Sequence, residues 1–371
     1  MSIQPEATDY ESIRRQSQLD FVASGQPLTV GSEAALPLPV AELLALTVAD
    51  PRVEAHFGGG LTGEVLCLRV GDQRYNIKRK LAVARVANVD GQTSFLTEVQ
   101  RRADFTRLKA DASGREQFAN IVDTLYADFR QGVMVSPWIP GAPLTRYDRS
   151  SLRQIHQTLA NMVVAGIFEW DLCPGNLLDD GERVWLFDFG YCWTFDPLTM
   201  VNSNGMATPL FHPAERFETR NLFSHLLKLE QAGQRAEALA LFRLEKEEAL
   251  AAYLQIHQRL KARGANSAVL DHWLGYARRW QQALERPGGV EELYLVEGYR
   301  SHLLDVHDDI SGKSCTPMTL LRVAAVEEAL HHHFALLKAS NGLFFGDENR
   351  SQQQLLAINA HHAELARQYQ L

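Results

Sequence analysis

Between residues 50 and 81, apolar and polar positions alternate with a period of two. Three segments follow this pattern, VEAHF at 53–57, EVLCLRV at 64–70 and RYNIKRKL at 74–81, and Gly71-Asp72 separates the last two. Alternation places successive side chains on opposite faces of a strand, and a short Gly-Asp connection between two such segments is typical of a hairpin. The pattern predicts three strands of a small antiparallel sheet.

Helical periodicity replaces this alternation in two parts of the chain. A first helix is predicted over 93–108, with Thr93 or Ser94 as its N-cap, followed by a further strand pair that ends in GVMVSPWIPGAPL at 132–144. Beyond residue 149, amphipathic segments predict helices over 217–231, 234–263, 267–286, 289–309, 318–339 and 349–370. Residues 1–44 are polar and contain several prolines, so we expect a loosely structured lead-in with one helix near 10–22.

The order of these elements predicts an α+β fold, with a small antiparallel β lobe containing one helix and a large helical lobe with a C-terminal helical extension. The 371 residues are 46% hydrophobic and 22% charged, which is ordinary for a globular protein. The formal net charge of −8 provides no cationic surface for a phosphate backbone. Nucleic acid is therefore not expected as a partner.

Cysteine usage and hydropathy indicate a compartment. The four cysteines, at positions 67, 173, 192 and 315, form no CxxC pair or regular spacing, so neither a disulfide framework nor a zinc knuckle is predicted. The N-terminal residues lack the basic and apolar regions of a signal peptide, and no apolar run is long enough to span a membrane. We expect a cytoplasmic protein without a membrane span.

Two aspartates at the ends of short apolar runs are candidates for catalysis. Asp171 and Asn176 enclose LCPG, and Asp188 follows VWLF and precedes Phe-Gly. Transfer of a phosphoryl group from ATP needs oxygen ligands for magnesium and a carboxylate beside the attacking hydroxyl. The spacing predicts that Asp171 orients and helps to deprotonate the acceptor, and that Asn176 and Asp188 bind Mg²⁺.

Upstream residues supply the remaining parts of such a site. Gly58, Gly60, Gly63 and Val65 match GxGxxGxV between two predicted strands, where backbone amides without a Cβ can approach phosphates. Lys78 lies fifteen residues after Gly63, on a predicted strand, and is the candidate cation for the phosphates. Twenty residues further, inside the predicted helix, Glu98 is placed to pair with Lys78.

Together these residues resemble the motifs of the protein-kinase-like superfamily over about residues 50–220. The loop DLCPGN, which begins at Asp171, resembles the DLHPGN loop of aminoglycoside phosphotransferase and choline kinase-type enzymes, whereas the Gly-rich loop resembles that of protein kinases. The resemblance implies a bilobed fold that binds ATP and Mg²⁺. It also implies that Leu178 forms a floor under the adenine and that 136–139 is the hinge segment.

The resemblance further predicts a division of the chain and an activity. The lead-in would cover 1–44, the N-lobe 45–135, the catalytic part of the C-lobe 136–220, and its helical C-terminal part 221–371. The implied activity is ATP- and magnesium-dependent transfer of the γ-phosphate to an acceptor hydroxyl. The partners would then be ATP and an acceptor whose identity the motifs leave open.

Three departures from the family pattern bear on that acceptor. Glu169 stands where the family usually has His, Asn76 where it usually has Ala, and Cys173 where protein kinases have Lys and antibiotic kinases have His. The long helical region after Glu215 favours a small-molecule or glycan hydroxyl, whereas the Gly-rich loop and the stretch of about 25 residues between Asp188 and Glu215 favour a protein Ser/Thr acceptor. A nucleotide-binding pseudokinase and an AMP-transferring enzyme are further alternatives.

Two histidine-containing stretches invite a different interpretation. SHLLDVHDDI at 301–310 and HHH at 331–333 contain possible metal ligands. Adjacent residues on a helix point about 100° apart, so consecutive histidines do not converge on one ion. Both stretches are predicted to be solvated helix faces.

Overall fold

The computed structural model describes residues 9–60, 62–86 and 88–371. The chain forms two compact units. The first contains the described residues up to Arg146 together with Gln157–Pro209 and Arg259–Val269, and the second contains Tyr147–His156, Leu210–Gln258 and Leu270–Leu371. The four-part division inferred from the resemblance stays a prediction.

The first unit is a mixed α/β structure. Its elements are α1 Tyr10–Ser24, β1 Thr29–Gly31, α2 Val40–Ala45, β2 Val53–Phe57, β3 Gly63–Val70, β4 Gln73–Lys80, α3 Val89–Leu108, α4 Ala112–Gln117, β5 Tyr126–Asp128, β6 Val133–Pro137, β7 Ala142–Pro143, β8 Ile167–Glu169, β9 Leu177–Asp179, β10 Val184–Leu186 and β11 Cys192–Thr194. The predicted strands and hairpin at 53–81, the strand pair before 144 and the lead-in helix are confirmed. The periodicity did not predict β1, α2 or α4.

The main sheet is antiparallel and has the order β1-β5-β6-β4-β3-β2 in the described part of the chain. One face packs on a cluster that includes Leu43, Leu66 and Ile77, and the other face packs on α3 through Phe95. Lys78 lies opposite Val65 on β3 and opposite Met134 on β6, which belongs to the face that meets α3. Directly opposite residues of an antiparallel pair point to the same side, so Lys78 points toward α3.

Helix α3 begins at Val89, four residues before the predicted start. Its N-cap is Asn88, whose Oδ1 accepts a hydrogen bond of 2.8 Å from the Gly91 N–H. The predicted caps are wrong, because the hydroxyls of Thr93 and Ser94 donate to helix carbonyls inside the first turns. Ser and Thr make both kinds of hydrogen bond, so their presence alone does not locate a helix end.

Two short strand pairs hold the loops that carry the candidate aspartates. Strand β8 pairs with β11, and β9 pairs with β10. The loop 170–176 runs from β8 to β9, and the loop 187–191 runs from β10 to β11. The strands at the two ends of the first loop are therefore paired with the strands at the two ends of the second loop. This pairing places the two loops next to each other.

Outside the first unit the chain is mostly helical. The helices are α5 Arg149–Val164, α6 Pro213–Phe217, α7 Phe223–Gln231, α8 Arg235–Ala262, α9 Ser267–Glu285, α10 Gly289–Gly312, α11 Pro317–Ala339 and α12 Gln352–Gln368. Of these, α5, α8 and α9 include residues of both units. The helices predicted beyond residue 217 are confirmed to within a few residues, apart from the first, where α6 and a π-helical turn at Glu218–Leu222 precede α7. Among the described helices, none has both the length and the apolar character needed to cross a membrane.

The prediction of solvated faces for the histidine-containing stretches is wrong in α10. His302 and Asp305 are buried. The Asp305 carboxylate contacts Arg220 at 2.6 Å and Arg322 at 2.9 Å. A buried carboxylate needs such partners, and these lie 85 residues before it and on the following helix, so the local pattern gave no sign of them.

Candidate active site

The centre of the candidate site is Lys78 of β4. Its Nζ lies 2.5 Å from Glu98 Oε2 on α3 and 2.8 Å from Asp188 Oδ2 in the loop after β10. Glu98 is 1% exposed, Lys78 10% and Asp188 33%, counted over their side chains. The lysine thus joins three distant parts of the chain, and the aspartate is the member of this group that faces outward.

Electrostatic interactions favour the charged forms of Lys78 and Asp188. Burial acts to lower the pKa of Lys78, but the carboxylates of Asp188 and Glu98 outweigh it and raise the pKa. Burial acts to raise the pKa of Asp188, but Lys78 and the Gly190 N–H, which donates to Asp188 Oδ1 at 3.2 Å, hold it below its usual value. An ammonium and a carboxylate therefore face each other here at neutral pH.

Glu98 has a second cationic partner, which was not among the predicted site residues. Arg102, one turn later on α3, donates to Glu98 Oε1 through Nε at 3.0 Å and Nη2 at 2.8 Å. The same guanidinium reaches the Phe187 carbonyl oxygen at 3.0 Å, directly before Asp188. Arg102 thus connects α3 to the aspartate loop; the spacing of four residues after Glu98 was the available signal.

The loop 170–176 holds Asp171 and Asn176 together. Asn176 Nδ2 donates to the Asp171 carbonyl oxygen at 2.8 Å and to its Oδ2 at 3.3 Å. The Asp171 N–H donates to Glu169 Oε1 at 2.8 Å. The Asp171 side chain is partly exposed, so its carboxylate is accessible to solvent while these hydrogen bonds hold the backbone of the loop.

Glu169 is buried next to this loop and accepts its hydrogen bond from the Asp171 N–H. It is 5% exposed and is the register partner of Cys192 on β11. Burial raises the pKa of Glu169 well above its usual value, while the Asp171 N–H acts in the opposite direction. Burial likewise raises the pKa of the Cys192 thiol, with the neighbouring carboxyl adding to the effect.

Phe189 anchors the loop after β10 by packing against α3. Its ring is 1% exposed and lies 4.8 Å from the Phe105 ring of α3, centroid to centroid. The buried ring holds this loop against α3, and the preceding residue, Asp188, contacts Lys78. The Phe189 anchor was not among the predicted site residues.

The Gly-rich loop lies between β2 and β3, with Leu61 outside the described residues. A Cβ on Gly63 would lie 3.0 Å from the Arg79 carbonyl oxygen and 3.3 Å from carbons of Lys78, and one on Gly60 would lie 2.2 Å from the Gly63 carbonyl oxygen. A Cβ on Gly58 would meet the His56 ring at 2.8 Å. Gly63 therefore lies on the stem of Lys78, and the loop does not accommodate side chains at these positions without movement.

Val65 and Leu178 are partly exposed apolar residues in the first unit. Val65 lies opposite Lys78 on the sheet, and Leu178 pairs with Trp185 and with Pro143. In the segment 136–139, the Trp138 N–H donates to the Arg74 carbonyl oxygen. The role of Val65 in the Gly-rich loop and the adenine-binding roles of Leu178 and this segment stay predictions.

Asn176 and Asp188 each carry a side-chain oxygen of the kind that magnesium binds, and their role as metal ligands stays a prediction. Asn176 donates both of its side-chain hydrogen bonds through Nδ2, and its amide oxygen accepts none from the described residues. Asp188 offers a partly exposed carboxylate. Magnesium bound with nucleotide commonly takes one or two such protein oxygens, with phosphates and water completing its shell.

Comparisons with known proteins do not assign this chain to a family. No protein-family model and no curated protein sequence matches the chain. Among solved structures, the chain is similar to the medium-resolution structure of the bifunctional kinase-methyltransferase WbdD, with 16% identity and a TM-score of 0.32 over 56% of this chain and 51% of that one. The match thus spans about half of the WbdD chain, and a TM-score of this size does not define a shared fold.

Proposed function

We propose that this protein is an ATP- and magnesium-dependent phosphotransferase that transfers the γ-phosphate of ATP to an acceptor hydroxyl. The observation that carries the proposal is the contact of one lysine, Lys78, with both Glu98 and Asp188, which lie 20 and 110 residues further along the chain. A buried cation between a helix carboxylate and a loop carboxylate is the arrangement that positions nucleotide phosphates in kinases. The proposal rests on these contacts and on the sequence motifs.

Each site residue has a separate role in this proposal. ATP with Mg²⁺ supplies the transferable phosphoryl group and neutralises part of its charge. Lys78 would hold the α and β phosphates, with Glu98 fixing its position, and Asn176 and Asp188 would hold the metal. The glycines at 58, 60 and 63 would let backbone amides approach the phosphates.

Asp171 is proposed to act on the acceptor. Its carboxylate orients the acceptor O–H and accepts its proton as the new O–P bond forms and the bond from the γ-phosphorus to ADP breaks. The hydrogen bonds from Asn176 Nδ2 to Asp171 keep that carboxylate in place during the transfer. Such positioning is the main contribution that a protein makes to phosphoryl transfer.

A small-molecule or glycan hydroxyl is the acceptor favoured here. A protein acceptor would dock on the segment between Asp188 and Glu215. In the structure Val201, Asn202 and Ser203 of this segment are buried, which leaves less of it for docking. A protein Ser/Thr acceptor is the alternative, and the experiment below separates the two.

The experiment combines labelled ATP with two variants. We expect Asp171→Ala to lower turnover about a hundredfold or more while nucleotide binding, measured by thermal shift, is largely retained. Asp188→Ala should instead weaken magnesium-dependent binding. Label appearing on protein substrates supports the protein acceptor, label appearing only with added metabolites or glycans supports the favoured one, and product mass distinguishes phosphate from AMP transfer. A wild type that binds ATP but transfers nothing to any acceptor would refute the enzyme proposal.

A further inference from the structure

Helix α1 of the lead-in touches two parts of the first unit that flank the candidate site. On one side it packs against α3, the helix that carries Glu98. On the other it reaches the turn 201–205, in which the Gly205 N–H donates to the Asn202 carbonyl oxygen. No motif in the sequence indicates a role for this helix.

Arg14 makes the contacts with the turn. Its Nη1 lies 3.1 Å from the Ser203 carbonyl oxygen and 3.0 Å from Asn204 Oδ1, and its guanidinium stacks over the Trp193 ring at 4.7 Å. The Ser203 hydroxyl in turn accepts a hydrogen bond of 2.9 Å from the indole N–H of Trp170. Trp170 directly precedes Asp171, so a short chain of contacts leads from α1 to the candidate catalytic carboxylate.

Arg15 and Gln18 make the contacts with α3. Arg15 donates to Asp90 Oδ2 through Nε at 3.0 Å and Nη2 at 2.7 Å, in the first turn of α3. The buried Gln18 donates to Gln100 Oε1 at 2.7 Å, two residues after Glu98. These contacts bracket the part of α3 that presents Glu98 to Lys78.

Both ends of α1 are anchored. At its C-terminal end, Arg130 donates to the carbonyl oxygens of Phe21 and Val22 in the last turn of the helix. At its N-terminal end, the Tyr10 ring lies against Gly205, where a Cβ would approach it to 2.6 Å and where φ is +80°. Only glycine suits that position, because the left-handed backbone and the contact both disfavour a side chain.

We infer that α1 is a strap that holds α3 and the turn 201–205 in the arrangement the site requires, with Arg14 and Arg15 as its positioning residues. Arg14 acts through Ser203 and Trp170 on Asp171, and Arg15 acts through Asp90 on Glu98. Neither arginine contacts a site residue itself. The catalytic part of this inference rests on the proposed phosphotransferase activity, whereas the holding of the two segments does not.

The first test uses kinetics of the full chain. Arg14→Ala should lower kcat at least about fivefold with little change in the KM for ATP, because it acts on the side of Asp171. Arg15→Glu and Asp90→Lys should each impair activity, and the two together should restore a large part of it because the ion pair is re-formed with opposite polarity. Gln16→Ala, on the exposed face of the same helix, is the matched control and should behave as wild type.

The second test needs no turnover. Hydrogen exchange of backbone amides should accelerate at least about fivefold over both 89–96 and 201–205 in the Arg14→Ala/Arg15→Ala double variant, and not in Gln16→Ala. If wild type proves inactive but both segments respond, the phosphotransferase proposal fails and the strap stands. Unchanged exchange in both segments, or full kcat in an active enzyme carrying both substitutions, would overturn the strap.

Discussion

The backbone N–H of Asp171 donates a hydrogen bond of 2.8 Å to the carboxyl group of Glu169. The candidate catalytic residue is therefore held from below by a side chain that lies two positions earlier and is almost completely buried. This hydrogen bond requires only an oxygen atom of residue 169 that can accept it. A neutral side chain supplies such an oxygen as well as a charged one does.

The effect of replacing Glu169 on catalysis should therefore depend on whether the new side chain can accept the hydrogen bond from the Asp171 N–H. Glu169→Gln keeps the accepting oxygen and the volume, so we expect turnover within about threefold of wild type, whereas Glu169→Ala leaves the Asp171 N–H without its partner and should lower kcat about tenfold. Steady-state kinetics at saturating ATP measures both. Equal losses in the two variants would show that the accepting oxygen is not what matters.

Removing the Lys78 ammonium should separate activity from folding. Lys78→Met should lower phosphoryl transfer about a hundredfold or more, while the fold persists because Arg102 still neutralises Glu98. Turnover and far-UV circular dichroism report the two effects. Lys80→Met is the matched control on the same face of β4, since its Nζ lies over the Phe129 ring instead. A loss in the control as large as that in Lys78→Met would contradict the assignment.

Arg102 should matter for stability as well as for activity. Arg102→Met removes one partner of a buried carboxylate and a hydrogen bond to the Phe187 carbonyl oxygen. Breaking buried pairs costs about 3–5 kcal/mol, and because Lys78 remains beside Glu98 we expect a loss of about 3 kcal/mol in chemical denaturation. Arg107→Met on the same helix, where the arginine side chain is 75% exposed, should change stability by less than about 0.5 kcal/mol.

His212 should contribute a loss of stability in mild acid. Burial, with Arg300 nearby, lowers the pKa of this histidine well below its usual value. Below pH about 6.5 the unfolded chain binds a proton that the folded chain does not, so this residue removes about 1.4 kcal/mol of stability per pH unit there and has no effect above that range. Denaturation between pH 5 and 8 measures the slope.

Two variants isolate this contribution. His212→Asn keeps a side-chain oxygen to accept from the Glu215 N–H at the start of α6, as the imidazole does now, and should make the stability profile flatter below pH 6.5. His332→Asn, at an exposed position of α11, should leave the profile unchanged. Profiles of wild type and His212→Asn that run parallel below pH 6.5 would disprove the prediction.

The parts that the sequence predicted well are those with local signals. Strands β2 to β4 follow from alternation, and Lys78, Glu98 and Asp188, which meet in the structure, follow from motif spacing. Arg102 could have been found from its position one turn after Glu98, because facing residues on a helix are separated by three or four positions.

The parts that it missed depend on distant partners. Arg14 meets Ser203 across 189 residues, and Asp305 meets Arg220 across 85. The periodicity of polar and apolar positions within each segment does not indicate these long-range contacts. A polar residue on a helix produces the same periodicity whether it faces water or a buried hydrogen-bond acceptor. The start of α3 was missed for another reason, because several residues near it can act as caps and tertiary packing decides among them.

Strand β1 has a consequence for how the protein behaves in concentrated solution. Thr29–Gly31 pairs with Tyr126–Asp128 at the end of the main sheet. Without those three residues, the backbone donors and acceptors of β5 would form an open edge, which is a template for pairing with another copy of the chain. A shortened chain that starts before Thr29 should therefore remain monodisperse at concentrations where one that starts after Gly31 self-associates.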